Sequence, residues 1–204
     1  FARAAAARGK PVLAYMLGRS EQARELAVTH TGVLAGDADL ADEFLAANGI
    51  ARVGSFDALL EALPLLRRLP IRKTGDRKPM VGVVSTTGGG GAMIVDQLAV
   101  RGVSTVSPST GTLKALASRG IDVEPSRIVD LTLGGTRYEI MKAALDVLTE
   151  ADEYDLIVAV VGSSARFQPD LAVKSILDSV GSKTPIAAFL VPDAPEALLQ
   201  LSLA

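Results

Sequence analysis

Met80-Val81-Gly82-Val83-Val84-Ser85-Thr86-Thr87-Gly88-Gly89-Gly90-Gly91 is the stretch that decides the fold. Met80 to Ser85 is apolar or small at every position, without polar alternation. That pattern marks a strand buried on both faces of a parallel sheet. Four consecutive glycines follow, then a helical run to Arg101 that Gly102 ends. A strand, a glycine turn and a helix form the opening of a βα unit. Two readings of the glycines stand side by side. They make a tight turn and let the helix pack closely, or their bare amides at a positive helix start bind an anion. Thr86 and Thr87 add hydroxyl donors to the second reading. No Gly-Lys-Ser/Thr ending is present, and no acidic residue ends the next strand near Val106. The run is therefore neither a Walker loop nor a dinucleotide fingerprint.

Outward from this stretch, the same alternation repeats. Val103–Val106, Leu156–Val161 and Pro185–Val191 read as strands. Ser109–Ser118, Thr136–Thr149, Pro169–Val180 and the run from Ala194 read as helices, while 121–135 reads as mostly irregular. Ile140, Ala144, Leu145 and Leu148 share one helix face. Upstream, Ala2–Arg8 is helical, Pro11–Leu17 a strand and Glu21–Ala27 a short helix. A helix from Asp37 or Asp39 turns Leu40, Phe44 and Ala47 inward. Ile50–Val53 is a strand, and Ser55 caps a helix with Leu59, Leu60, Leu63 and Leu66 inside. Between the halves lies a basic, proline-bounded segment from Arg67 to Pro79. It reads as a connector, with contact to an anionic nucleotide as the other use for its charges. The expected organisation is α/β, with two flavodoxin-like parallel-sheet domains, the first incomplete at its N-terminus. The boundaries are 1–68, a linker at 69–79, and 80–204.

Composition bounds the chemistry. The 204 residues carry a net charge of -2 and are 49% hydrophobic, which describes an ordinary globular chain and makes no case for nucleic acid or an anionic membrane. No cysteine is present, so disulfides and thiolate chemistry are excluded. No apolar run approaches the roughly 20 residues needed to cross a bilayer. A cytoplasmic setting is the default expectation. The chain opens at Phe1 in helix-like sequence, which reads as a piece of a longer polypeptide.

The one histidine, His30, sits in Thr29-His30-Thr31-Gly32-Val33-Leu34-Ala35-Gly36. A lone histidine in a loop is ordinarily a surface or capping residue. A neutral imidazole is also the side chain whose ordinary pKa supplies a nucleophilic nitrogen near pH 7. Small neighbours and hydroxyls would let a phosphate approach it.

Together the two stretches resemble the NDP-forming acyl-CoA synthetases, relatives of succinyl-CoA synthetase. The likeness runs through Lys10-Pro11-Val12, Gly18-Arg19-Ser20-Glu21, the His30 stretch and Ala47-Asn48-Gly49-Ile50. It resumes at Val81-Gly82-Val83-Val84 and continues through the glycine run, Pro108-Ser109-Thr110 and Val129-Asp130-Leu131-Thr132. The resemblance implies a ligase that makes acyl-CoA from a carboxylic acid, CoA and NTP through a phosphohistidine. His30 would be the phosphorylated residue. Thr31, Gly32, Thr86, Thr87 and Gly88, Gly89, Gly90 and Gly91 would hold the phosphate, with no metal ligands. CoA and ATP/ADP with Mg would be substrates of the complete enzyme, none bound tightly by this chain. Partners would be an ATP-grasp domain or subunit, an N-terminal CoA-binding domain and a small carboxylic acid, in an oligomer without nucleic acid or membrane. The family often has Gly-Gly-Pro-Gly where this chain has Gly88–Gly91, and Asn-Pro-Val/Leu-Asp where it has Arg127-Ile128-Val129-Asp130. The family's histidine-orienting glutamate falls before Phe1. The alternatives are a flavodoxin-like FMN or anion-binding module, with Tyr138 and Phe167 as stacking candidates, and a non-catalytic acyl-CoA-sensing scaffold.

Overall fold

The structure is a computed structural model. It describes residues 1–31, 38–68, 78–132 and 134–204, with the backbone alone at 27–31 and 67–68. Gly32 and positions 69–77 of the expected linker lie outside the described residues. The chain divides into two compact units, Phe1–Lys73 and Thr74–Ala204. Each contains its own parallel sheet.

In the first unit the order is α1 (Ala2–Ala6), β1 (Val12–Tyr15), α2 (Glu21–Thr31), α3 (Ala38–Ala47), β2 (Ile50–Val53) and α4 (Phe56–Arg68). β1 and β2 pair in parallel from Val12 opposite Ile50 to Tyr15 opposite Val53. Ser20 Oγ accepts from the Ala23 N–H at 3.1 Å and starts α2. Ser55 Oγ does the same for Ala58 at 3.1 Å and starts α4, as its position implies. Two expected helix faces need correction. On α3, Leu40 and Phe44 are 66% and 63% exposed, and the buried residue is Leu45. The helix carries two apolar stripes of equal spacing, offset by one residue. The choice between them follows Asp42, which pairs with Arg52 on β2 and with Arg19. On α4, Leu59 and Leu66 face inward while Leu60 and Leu63 are each 52% exposed.

The second unit continues with β3 (Met80–Ser85), α5 (Gly88–Val100), β4 (Ser104–Thr105), α6 (Thr110–Ser118), β5 (Val129–Asp130), α7 (Tyr138–Glu150), β6 (Leu156–Val161), α8 (Ser164–Phe167), α9 (Pro169–Leu177), β7 (Ile186–Leu190) and α10 (Pro195–Leu203). The strand order is β4-β3-β6-β7, all parallel, and β5 pairs with the far end of β3. β4 meets β3 at Met80 and Val81, and β5 meets it at Val84 and Ser85. The two short strands thus share one side of β3, while β6 takes the other.

Alternate residues of the sheet feed two cores. Val81, Val83, Val158 and Val160 face α5, packing with Ile94, Val95 and Leu98. Val84, Ile157, Ala159 and Val161 face the opposite layer, with Met141, Leu145 and Leu148 of α7 and Val173 of α9. Burial on both faces explains why β3 and β6 lack polar alternation. Gly102 (φ 73) and Gly120 (φ 76) end α5 and α6 in the left-handed region, where a Cβ would be strained. Ser109 Oγ caps α6 by accepting from the Thr112 N–H at 3.2 Å.

Tyr138 at the start of α7 ties that helix to α9. Its hydroxyl donates to Asp178 Oδ2 at 2.8 Å, which also accepts from Lys174 at 2.7 Å. These bonds hold the Asp178 carboxyl below its ordinary pKa, with Lys174 the largest cause. They raise Lys174 and Tyr138, in each case chiefly through the bond to Asp178. A lowered carboxylate stabilises the fold above its unfolded pKa, and that contribution is lost as pH falls through the folded one. Raised groups stabilise below their unfolded pKa and lose the contribution as pH rises through the folded one. Asp178→Asn is therefore expected to flatten both limbs of the stability–pH curve, below about pH 4 and above about pH 10. Thermal melts from pH 2 to 11 test this, and unchanged limbs would contradict it.

Candidate functional site

α5 begins at Gly88, so the four glycines are its first turn, whereas the sequence places the helix start at Gly91. The cause is local. Ser85, fully buried, donates its hydroxyl to the Thr87 carbonyl at 2.7 Å and accepts from the Thr87 N–H at 3.1 Å. That small ring turns the chain sharply after β3 and aims the helix back over the sheet. Thr87 is the N-cap in extended conformation (φ -148), and its own side chain makes no cap bond. The Gly91 N–H donates to the Thr87 carbonyl at 3.0 Å, the first bond of the helix. The N–H groups of Gly88, Gly89 and Gly90 precede that bond and have no acceptor among the described residues. The anion reading of four amides therefore narrows to three.

The four glycines also differ in what surrounds them. A Cβ on Gly90 would stand 2.6 Å from Val191 Cγ1, 2.8 Å from Thr87 Cγ2 and 3.0 Å from Val160 Cγ1. On Gly91 it would meet Ile128 Cγ2 at 3.1 Å and Ser85 Cβ at 3.2 Å. A Cβ on Gly89 meets nothing within 4 Å, and on Gly88 only Asp130 Oδ2 at 3.4 Å. Gly90 and Gly91 are buried, and Gly88 and Gly89 are exposed. The packing and anion readings thus apply to different members of one run. Gly90→Ala is expected to cost about 1–3 kcal/mol from overpacking. Gly89→Ala is expected to stabilise by up to about 1 kcal/mol, because the site is open and the unfolded chain is stiffened. Denaturant unfolding of the two variants checks the split, and equal effects would contradict it.

The remaining walls come from neighbouring strand ends. Thr86 N–H donates to the Val160 carbonyl at 3.0 Å, and Thr86 Oγ1 accepts from the Gly162 N–H at 3.0 Å. Thr86 therefore laces β3 to β6, and its hydroxyl proton stays available to a ligand. The Leu131 N–H donates to the Ser85 carbonyl at 2.8 Å and brings β5 alongside. Asp130, last residue of β5, accepts from the Thr132 N–H at 2.9 Å and from its hydroxyl. Sequence reasoning assigned Asp130 no role at the loop. Its other oxygen lies beside Gly88, where a carboxylate favours the positive helix end and opposes a bare anion. No sequence signal marks this placement, because the two-residue strand at 129–130 that delivers Asp130 exists only through pairing with β3.

All of this stands at the carboxyl ends of β3, β5 and β6, where the chain order reverses: β4 and β5 fall to one side of β3, β6 to the other. Open parallel sheets place ligands at such a switch point. His30 lies in the last turn of α2, one residue before its end, and not in a loop after a shorter helix. Thr31 closes the same helix. Of the stacking candidates, Tyr138 carries Lys174 Nζ at 5.4 Å from its ring centroid, and Phe167 is 79% exposed on α8. Among the described residues no cluster of three or more His, Asp or Glu could hold a metal ion, and no helix is long and apolar enough to cross a membrane.

The class to which this architecture is similar is visible in direct comparison. Residues 1–66 match the family model of the succinyl-CoA ligase like flavodoxin domain. The chain resembles the ADP-forming acyl-CoA synthetases in sequence and in fold. In particular, it is 26% identical over 173 residues to acetate–CoA ligase [ADP-forming] I of Archaeoglobus fulgidus, covering 84% of this chain and 24% of that protein. It is 32% identical over 80 residues to 4-hydroxybutyrate–CoA ligase [ADP-forming] of Nitrosopumilus maritimus, covering 39% of this chain and 11% of that protein. Its fold matches the dinucleotide forming acetyl-coenzyme A synthetase 1 of Ca. Korarchaeum cryptofilum, solved in complex with phosphate and ADP. That match has a TM-score of 0.74 and 20% identity, over 94% of this chain and 42% of that one. The chain spans about a quarter of the length of the Archaeoglobus relative.

Proposed function

We propose that this chain is the CoA-ligase part of an NDP-forming acyl-CoA synthetase, with His30 as the phosphoryl carrier. The domain boundaries are those read from sequence, 1–68 and 80–204, joined by 69–79. The overall reaction is carboxylic acid + CoA + NTP giving acyl-CoA + NDP + phosphate. In the forward direction an imidazole nitrogen attacks the γ-phosphorus of NTP, and NDP leaves. The phosphoryl group then passes to the carboxylate oxygen, and the CoA thiolate displaces phosphate from the acyl phosphate. An ATP-grasp partner would present the nucleotide, and a CoA-binding domain the thiol. CoA and Mg-nucleotide are substrates of that assembly. Mg would travel with the nucleotide phosphates.

The observation that carries this reading is the start of α5. Three N–H groups, at Gly88, Gly89 and Gly90, have no acceptor among the described residues and stand at a sheet switch point. Gly89 is open on its outer side, and Gly88 faces only the Asp130 carboxylate. Such a helix end stabilises a phosphoryl group without a cationic side chain. Thr86 and Thr87 stand within the same turn and supply hydroxyls. On this reading Gly91 serves packing, and Thr31 and Gly32 flank the phosphorylated ring. The relatives' printed activities, ADP-forming ligation of acetate or 4-hydroxybutyrate to CoA, support the reaction class and leave the acid of this chain to experiment.

The test is product identity. The full-length protein, with ATP-grasp and CoA-binding partners present, is supplied with short carboxylic acids, CoA and Mg-ATP. Acyl-CoA with stoichiometric ADP and phosphate is the expected result. AMP and pyrophosphate, or no acyl-CoA with any acid, would overturn the proposal.

A further inference from the structure

Asp130 presents an oxygen to the start of α5 that no donor among the described residues uses. Its Oδ1 accepts from the Thr132 N–H at 2.9 Å and from the Thr132 hydroxyl. The backbone beneath it is held as well. β5 pairs with β3 at Val84 and Ser85, and the Leu131 N–H donates to the Ser85 carbonyl at 2.8 Å. These bonds fix Oδ2 in place. It lies 3.4 Å from where a Cβ on Gly88 would stand. A helical Cβ leans towards the N-terminus, so this oxygen is on the side of α5 where the Gly88, Gly89 and Gly90 N–H groups await an acceptor. Among the described residues no lysine or arginine forms an ion pair with Asp130. The residue is exposed, so a ligand from solvent can reach it.

Donors and a fixed acceptor side by side make a selective site. Phosphate and sulfate are both tetrahedral oxyanions of nearly equal size, and backbone amides alone bind either. They differ by a proton. Sulfate is fully ionised near neutral pH, whereas inorganic phosphate keeps a P–OH in both of its neutral-range forms. A P–OH donates to a carboxylate in a short, charge-assisted bond. A sulfate oxygen in the same place meets a like charge with no proton between them, and a penalty of that kind is how a site rejects the wrong ligand. An acidic side chain beside a helix start can also serve the helix alone, through its dipole. A carboxylate with only that task would bond one of the first N–H groups directly, and among the described residues Asp130 bonds none of them. We propose that Asp130 is the specificity residue of the α5 anion site: its Oδ2 accepts the proton-bearing oxygen of inorganic phosphate and excludes sulfate. The proposal rests on the reading of α5 as the phosphate site and adds the residue that recognises the anion's proton. In the reaction assigned above, inorganic phosphate is a product, and in reverse a substrate, so the distinction bears on both directions.

The experiment is equilibrium binding of labelled phosphate and labelled sulfate to the whole chain at neutral pH, with a thermal melt of each variant. Wild type is expected to bind phosphate at least about tenfold more tightly than sulfate. Asp130→Asn keeps an acceptor for Thr132 and replaces the charge with an amide that can donate to either anion. It should bring the two affinities together, chiefly by tightening sulfate, with the melting temperature little changed. Gly89→Val should lose both anions, which ties the binding to α5. Equal binding of the two anions by wild type would overturn the role of Asp130 and leave the anion site standing. So would a preference that Asp130→Asn leaves intact. A lowered melting temperature with that preference intact would assign Asp130 to the helix alone. Binding of neither anion, or binding that Gly89→Val does not weaken, would remove the site itself, and the reading of α5 as the phosphate holder with it.

Discussion

His30→Ala is expected to abolish acyl-CoA formation in the complete enzyme, by at least about 10⁴-fold, while CoA binding persists. The size follows from the role proposed. A residue that carries the transferred group cannot be replaced by hydrogen bonding or by shape. His30→Asn should be equally inactive, because the amide retains polarity and has no nucleophilic nitrogen. The chain contains one histidine, so no second imidazole within these 204 residues can substitute. His30 lies in the last turn of a helix instead of in an open loop, so removal of its ring leaves the backbone hydrogen bonds of α2 in place. Melting temperatures within a few degrees of wild type should therefore accompany the loss. Acyl-CoA synthesis by His30→Ala at a normal rate would show that the ring serves structure alone. The check is steady-state turnover measured beside CoA binding on the same samples.

Gly89→Val is expected to produce the second largest effect, a loss of roughly 10²-fold in phosphorylation with the fold intact. In a helix each Cβ tilts towards the N-terminus. At Gly89 that direction is open, with nothing within 4 Å, on the same N-terminal side as the helix's free amides. Valine methyls would occupy that space and deny one or two charge-assisted bonds, each about 1.5–3 kcal/mol. Substitution at Gly90 is the wrong test. It drives a side chain into Val191 and Val160 and confuses unfolding with lost function. Rates of phosphoryl incorporation for Gly89→Val, alongside its unfolding midpoint, decide the matter. Normal phosphorylation of a folded Gly89→Val would reduce the glycine run to a turn.

The parallel-sheet class was legible because β3 and β6 are apolar at nearly every position, a pattern only double burial explains. The place of the glycine run directly after β3 was legible for the same reason. Other features were not. The orientation of α3 depends on the ion pairs of Asp42 with Arg52 and Arg19, and spacing cannot choose between two stripes one residue apart. β5 is two residues long and owes its existence to pairing with the end of β3, so local propensity carries no trace of it. The division of labour within Gly88–Gly91 depends on which way each Cα faces, which four identical letters cannot encode. The approach of Asp130 to Gly88 is tertiary for the same reason. The helical end in which His30 sits was not legible either, because the glycine and threonine neighbours of the ring read as a loop.

The central claim is the phosphoryl carrier, and its chemistry separates it from every hydroxyl ester. The full-length protein, with its nucleotide-binding partner, is incubated with γ-labelled Mg-ATP. The denatured sample is then divided between acid and alkali. Label that is lost in acid, survives in alkali and maps to the peptide containing His30 is the predicted result. Label that survives acid, maps elsewhere or never appears would contradict the account.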